Sequence, residues 1–139
     1  MDRTLIIIKP DAVSRGLIGA VISRFEEAGG LKLVALKMAV LDDAVIKDHY
    51  AHLTDKPFFP GLVAFMKSTP VVLAVLQGEN AVDAVRGMCG PTDSKKAPPG
   101  TIRGDYGTDV QQNIVHASDS KETAEQEIAR FFSPAELFA

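Results

Sequence analysis

Thr4 to Ile8 is a continuous apolar, largely β-branched run closed by Lys9-Pro10. Such a run predicts a strand buried on both faces and stopped where proline can no longer donate to the ladder. Val21, Ile22, Phe25 and Ala28 then recur at helical spacing, and Gly29-Gly30 ends the helix they predict. Leu31 to Leu41 returns to strand-like composition. Ala44 to Leu53 reads as helix, with Val45, Ile46, His49, Tyr50 and Leu53 on one broad face. Pro57 opens a further short helix in which Phe58, Leu62, Phe65 and Met66 fall together. Val71 to Leu76 is a second buried strand, and Ala81, Val82, Val85 and Met88 predict the helix after it.

Residues 90–113 show no regular pattern and hold four glycines and three prolines; loops of that length in a compact domain are functional or disordered. A short strand around Val115 follows. In the last helix, Asp119 reads as the N-cap with Glu122 at the third position, and Ala124, Ile128 and Phe131 form the apolar stripe. Glu127 projects at the edge of that stripe, while Glu122, Glu125, Gln126 and Arg130 occupy the outer face. With its insertions set aside, the order is βαββαβ. It predicts an α+β, ferredoxin-like sandwich: a four-stranded antiparallel sheet with helices packed on it. No repeat, linker or low-complexity tract interrupts the chain, so residues 1–139 are read as a single domain.

Composition changes this picture little but removes alternatives. A chain of 139 residues buries roughly two thirds of its unfolded surface and needs no disulfide or metal to fold. Hydrophobic residues make up 46% and charged residues 24%, which disfavours disorder and membrane classes. The net charge of −3 argues against a general nucleic-acid binder, yet leaves room for an anionic small substrate held by a few local cations. Cys89 is the only cysteine and reads as a small buried residue. Nothing resembles a signal peptide, and the longest apolar run is too short to span a bilayer. A cytoplasmic location is expected.

The chemistry-bearing residues stand at element boundaries. No G-x-x-x-x-G-K-[ST], no G-x-G-x-x-G and no cysteine–histidine cluster occurs, so P-loop, Rossmann and zinc readings lack support. Lys9 follows a buried strand and is either a solvated strand end or a cation at a site. Arg86, on the helix after the second buried strand, is by itself a solvated face residue. Arg103, between glycines in the long loop, suits a phosphate and equally suits a turn-stabilising pair with Asp105. His116 ends an apolar stretch, where a structural histidine is the ordinary reading. Two neighbours shift that reading: Ser118 supplies a hydroxyl, and Glu127 is a carboxylate on an inward-tending stripe, costly without a partner. A histidine paired with Glu127 would have its other nitrogen free as a nucleophile. His49 and His52 lie on one helix without a third ligand nearby and read as surface or subcore residues.

Taken together, these residues resemble the nucleoside diphosphate kinase family over nearly the whole chain. Thr4-Leu5-Ile6-Ile7-Ile8-Lys9-Pro10-Asp11 resembles the family's opening strand and lysine, and Arg15-Gly16-Leu17-Ile18-Gly19 its first-helix entry. His49-Tyr50 and Pro57-Phe58-Phe59 are similar to its nucleotide-side helices. Pro99-Gly100-Thr101-Ile102-Arg103-Gly104-Asp105 resembles its long loop, and Asn113-Ile114-Val115-His116-Ala117-Ser118-Asp119 its active-site signature. The last two are highly specific in combination.

The resemblance implies reversible γ-phosphate transfer between nucleoside tri- and diphosphates, ping-pong, through phosphorylated His116 oriented by Glu127 and Ser118. It places Lys9, Tyr50, Arg86, Thr92, Arg103 and Asn113 around phosphates and ribose. The base would lie between Phe58 and Val110 with Leu62 beside it. Mg²⁺ would be held mainly by the nucleotide phosphates, with no protein cage, and the chain would assemble as a homo-tetramer or homo-hexamer. Ala12 and Ala117 stand where many relatives carry glycine, and Ser94 where many carry proline. A non-catalytic nucleotide-binding relative would have lost the histidine or the cations, which are present. A ferredoxin-like nucleic-acid binder would show a basic sheet face with interleaved aromatics, which is absent.

Overall fold

The computed structural model describes residues 1–139. Four strands form one sheet: β1 (Asp2–Ile8), β2 (Leu31–Ala39), β3 (Val71–Gly78) and β4 (Val115–Ala117), in the order β2-β3-β1-β4. Every neighbouring pair is antiparallel, which is the ferredoxin-like arrangement expected from the element order. Helices α1 (Pro10–Ser14) and α2 (Ile18–Glu27) separate β1 from β2. Helices α3 (Asp43–His49) and α4 (Phe59–Lys67) separate β2 from β3. Helices α5 (Ala81–Cys89) and α6 (Ile102–Tyr106) lie between β3 and β4, and α7 (Lys121–Phe131) follows the sheet. No helix is long and apolar enough to cross a membrane.

The central strands explain the two unbroken apolar runs. Alternate residues of a strand face opposite sides, and β1 and β3 have helices on both. Leu5, Ile7, Val71, Leu73 and Val75 pack with Ile46, Phe59, Leu62, Met66, Ile128 and Phe131 from α3, α4 and α7. Ile6, Ile8, Val72, Ala74 and Leu76 pack with Val21, Phe25, Val85 and Cys89 from α2 and α5. β2 has only one strand neighbour, β3, and its outer positions are wetter: Leu36 and Met38 are exposed.

Several boundaries differ from expectation. The long stretch 90–113 is not structureless: a 3₁₀ turn at Ser94–Lys96 and the short helix α6 organise it. Its close contacts lie outside any periodic pattern. A Cβ on Gly104 would sit 2.0 Å from the Pro98 carbonyl oxygen, and one on Gly107 would sit 2.0 Å from Ser94 Oγ. The predicted helix 44–53 splits into α3 and a 3₁₀ turn at Ala51–Leu53. The N-cap of α7 is Ser120, not Asp119; the Ser120 hydroxyl oxygen accepts from the Thr123 amide at 3.0 Å. Asp119 is exposed beside a cleft instead, and Glu122 falls at the second helical position rather than the third.

The β2–β3 end depends on close backbone approach. A Cβ on Gly78 would meet the Gly30 carbonyl oxygen at 2.2 Å, and backbone on both sides cannot swing away as a side chain can. Gly78→Ala is expected to lower unfolding free energy by about 1–3 kcal/mol, measured by urea denaturation. Gly87→Ala, where a Cβ meets open space inside α5, is expected to be stabilising by up to about 1 kcal/mol in the same assay.

Candidate functional site

Strand alternation aims the histidine. β4 pairs with β1 so that Ile7 stands opposite His116 and Ile6 opposite Ala117. Val115 and Ala117 therefore enter the α2–α5 core, and His116 turns to the other face, toward α3 and α7. There its Nε2 lies 3.0 Å from Glu127 Oε1. The Ser118 hydroxyl donates to the same oxygen at 2.6 Å and accepts from the Leu5 amide at 3.2 Å. Glu127 is only 5% exposed. Burial pushes its pKa up, but hydrogen bonds from His116 and Ser118 outweigh burial and hold it below the usual carboxylate range. Because an ionised carboxylate only accepts, His116 Nε2 carries the proton and Nδ1 keeps a lone pair.

His49 completes this layer, and sequence reading did not place it in the site. Its ring stands edge-on to His116, centroids 4.6 Å apart, and edge-on to Tyr50 and Phe131. Arg130 Nη1 donates to His49 Nδ1 at 3.0 Å and its Nε to Asp48 at 2.7 Å. His49 Nδ1 is thus an acceptor, and the ring is neutral: burial, with the neighbouring His116 second, pushes its pKa down to about 3. The available signal was His49's place on the apolar face of its helix with Val45 and Ile46. Arg130, read as outer-face, is half-buried over that ring. Ligand atoms of His49, His116 and Glu127 lie within 4.8 Å of one another, the only three-residue set of metal-binding type. Its two nitrogens and one engaged carboxylate do not make the oxygen-rich cage of a hard cation.

A cleft of about 690 Å³ opens in front of His116, within the range of small-molecule sites. Lys9 lines it, buried, with Nζ donating to the Gln111 carbonyl at 2.7 Å and to Asn113 Oδ1 at 2.8 Å. Burial, opposed by Asp11 and reinforced by Arg103, pushes the Lys9 pKa down to about 8. Lys9 is therefore not a solvated strand end. Asn113 Nδ2 donates to the Thr92 carbonyl at 3.0 Å, tying Thr92 to the same wall. Arg103 is buried and does not pair with Asp105, which binds Arg24 at 2.7 Å instead. Its guanidinium donates to the carbonyls of Gly90, Asn113 and Val115 at 2.7, 3.3 and 2.6 Å. That uses three of the five N–H donors a guanidinium has.

The rest of the lining is softer. Arg86 and Thr92 are exposed at the cleft, so Arg86 is not simply a solvated face residue. Tyr50 lines the floor, and burial, aided by Glu127, raises its pKa. Phe58 and Val110 are 54% and 56% exposed on the cleft wall, with Leu62 buried beside them. Every residue named from sequence as a site residue lines this cleft except Ser118, which lies fully buried behind Glu127. His52 lines the cleft on the exposed side.

The neutral His49 makes acid stability dependent on this site. Its folded pKa lies below its unfolded value of about 6.5. Between the two, the unfolded chain binds a proton that the folded chain refuses, so stability falls as pH drops through that window. Glu127, also depressed, adds a further loss once pH passes below the ordinary carboxylate value. Between pH 7 and 5 the protein is expected to lose on the order of 1 kcal/mol more unfolding free energy than His49→Gln does, measured by urea denaturation at each pH.

Comparison with known proteins identifies the family of the whole chain. The family model described as nucleoside diphosphate kinase matches residues 2–137. A nucleoside diphosphate kinase of Pyrococcus horikoshii is 56% identical over 140 residues, covering 99% of this chain and 88% of the relative. That of Gloeobacter violaceus is 53% identical, covering 99% and 91%. The solved structure of a halophilic nucleoside diphosphate kinase from Halobacterium salinarum in complex with CDP superposes with a TM-score of 0.96 at 46% identity, covering 100% of this chain and 93% of that one. With a family model over almost its full length and relatives of this identity, the chain belongs to the nucleoside diphosphate kinase family.

Proposed function

We propose that this protein transfers the γ-phosphate of a nucleoside triphosphate to His116 and from there to a nucleoside diphosphate. The observation that carries the reading is the His116–Glu127–Ser118 chain of contacts at 3.0 and 2.6 Å. It leaves one imidazole nitrogen, Nδ1, with a lone pair.

In the first half-reaction, Nδ1 attacks the γ-phosphorus. The P–Nδ1 bond forms as the bond to the β–γ bridging oxygen breaks, and the nucleoside diphosphate leaves. The ring becomes cationic in character, its proton staying on Nε2 against Glu127, so no base has to act in the transfer. A second nucleoside diphosphate reverses the steps, which gives ping-pong kinetics. Phosphoryl transfer spreads charge over the equatorial oxygens and asks the protein for position and positive potential. Lys9, Arg86 and Arg103 supply cations from three separate elements, and Tyr50, Thr92 and Asn113 supply polar contacts to phosphate and ribose. Phe58 and Val110 hold the base by its faces with Leu62 at its side, a mode that leaves the base edge unread. The CDP bound by the Halobacterium salinarum relative is consistent with a nucleotide in this cleft.

Mg²⁺ fits this site as a companion of the substrate. The cleft offers cations and nitrogen ligands rather than a set of free carboxylates, so phosphate oxygens and water would hold the ion. When bound, it neutralises triphosphate charge. We further read residues 1–139 as one domain located in the cytoplasm and assembled as a homo-oligomer. The edge position of β2, with Leu36 and Met38 exposed at 50% and 57% and Val40 just beyond it at 72%, supports assembly.

Incubation with γ-labelled ATP is expected to label the intact protein in an acid-labile, base-stable form, with GDP chasing the label into GTP. His116→Ala is expected to take up none; persistent labelling of that variant would move the nucleophile elsewhere. Glu127→Gln and Ser118→Ala are expected to slow labelling by about 10- to 100-fold, Glu127 more than Ser118, because each loosens the aim of the imidazole.

A further inference from the structure

The residue that joins Asn113 to the His116 strand is held in a backbone conformation that its side chain opposes. Ile114 has φ +77° and is fully buried. A β-branched residue rarely adopts that region, and one kept there persists only where its surroundings fix it. The Val115 amide donates to the Asn113 carbonyl at 2.9 Å, closing a tight three-residue γ-turn around Ile114. The turn stands between two functional groups: Asn113, bonded to Lys9, and His116, bonded to Glu127.

Both backbone polar groups of Ile114 are gripped by the segment that follows β1. Asp11 Oδ2 accepts from the Ile114 amide at 3.0 Å, and the Lys9 amide donates to the Ile114 carbonyl at 2.8 Å. Asp11 is buried, and its other carboxylate oxygen, Oδ1, has no hydrogen-bond partner. A carboxylate buried with half of its acceptors unused is costly unless the bond it does make matters. Asp11 does not line the cleft. The Lys9 amide is backbone and present whatever side chain stands there. Asp11 is therefore the one side chain that holds Ile114's own backbone, while Arg103 holds the carbonyls of Asn113 and Val115 on either side.

We propose that Asp11 is a positioning residue for phosphoryl transfer: by holding the Ile114 amide it keeps the strained turn closed and thereby fixes His116 relative to Lys9 and Asn113. The inference rests on the reading of His116 as nucleophile. Without the Asp11 bond the turn relaxes toward negative φ, β4 shifts along β1, and Nδ1 loses alignment with the phosphate, while the cleft residues remain chemically intact. A glycine at position 114 would adopt the same φ without opposition and would make the Asp11 bond dispensable.

The test compares single-turnover rates of His116 phosphorylation by γ-labelled ATP, with melting temperature measured alongside. Asp11→Ala is expected to slow labelling by about 10-fold or more, whereas Asp11→Asn, which keeps an oxygen acceptor, stays within about 3-fold of the parent. The double variant Asp11→Ala with Ile114→Gly is expected to regain about 5-fold or more of the lost rate. It does so although loss of the buried isoleucine lowers its melting temperature below that of Asp11→Ala. A rate rising while stability falls is what a merely structural role does not produce. Should Asp11→Ala not fold, Asp11→Leu, similar in size and without an acceptor, takes its place in both comparisons. Asp11→Asn as slow as Asp11→Ala, or a double variant no faster than the single, overturns the proposal. Absence of label on the parent protein overturns the His116 reading instead.

Discussion

The buried carboxylate of Glu127 is the constraint around which the site is organised. An ionised group at 5% exposure is tolerable only with partners in place, and its partners come from one strand end. Ile128 and Phe131 fasten α7 to the sheet through the same core that contains Leu5 and Ile7. That packing sets Glu127 at a fixed height above β1, opposite His116 and Ser118. The hydrophobic core thus does the aiming, and hydrogen bonds at 3.0 and 2.6 Å complete it. A histidine in this setting gains a defined tautomer from the same contacts that keep the carboxylate charged.

The sheet order follows from that arrangement as much as it causes it. Only with β4 beside β1 can Ser118 reach the Leu5 amide and Lys9 reach Asn113. Arg103 reinforces the same edge from behind. It spans the carbonyls of Gly90, Asn113 and Val115, so one guanidinium ties the start of the long loop to both sides of the Ile114 turn. Burial lowers its pKa, yet a guanidinium stays charged throughout the physiological range. Its role in holding the loop and its positive potential in the cleft are therefore compatible.

Much of this was legible in the residues and some was not, for physical reasons. Strands buried on both faces announce themselves as unbroken apolar runs, so β1 and β3 were readable from Thr4–Ile8 and Val71–Leu76. Glu127 could be suspected because its helix position conflicts with its charge. Arg103 could not be resolved: a lone arginine beside Asp105 suits a local pair, and only tertiary structure brings Arg24 to that aspartate instead. The α7 cap slipped by one residue because Asp119 and Ser120 are both good caps and local sequence does not rank them. Helix α6 escaped periodicity because a helix of five residues is too short to show a repeat. His49 was ambiguous since a neutral buried histidine and an apolar residue occupy the same stripe. What makes it part of the site is Arg130, reaching it from a helix 81 positions away.

The distribution of burial across the cleft suits the proposed chemistry. On the proposed reading of His116, the polar groups of the cleft floor, Lys9, Arg103, Asn113 and Glu127, are all buried and each is hydrogen-bonded to the protein. These polar groups are oriented by the fold itself, so on that reading stabilising a transferring phosphoryl group requires little rearrangement. Phe58, Val110, Arg86 and Thr92, on the same cleft, are exposed. Exposed side chains keep rotamer freedom, and on the proposed reading an apolar wall takes a base by its faces, which all bases share. A rigid floor with an adaptable mouth therefore separates two demands on one site. In the proposed reaction the phosphate end must be held to within fractions of an ångström, while the base end need only offer a face. The fold meets the first by drawing the floor from the end of β1, the start of β4, α6 and α7, and the second by leaving the mouth on the start of α4, α5 and the loop before β4.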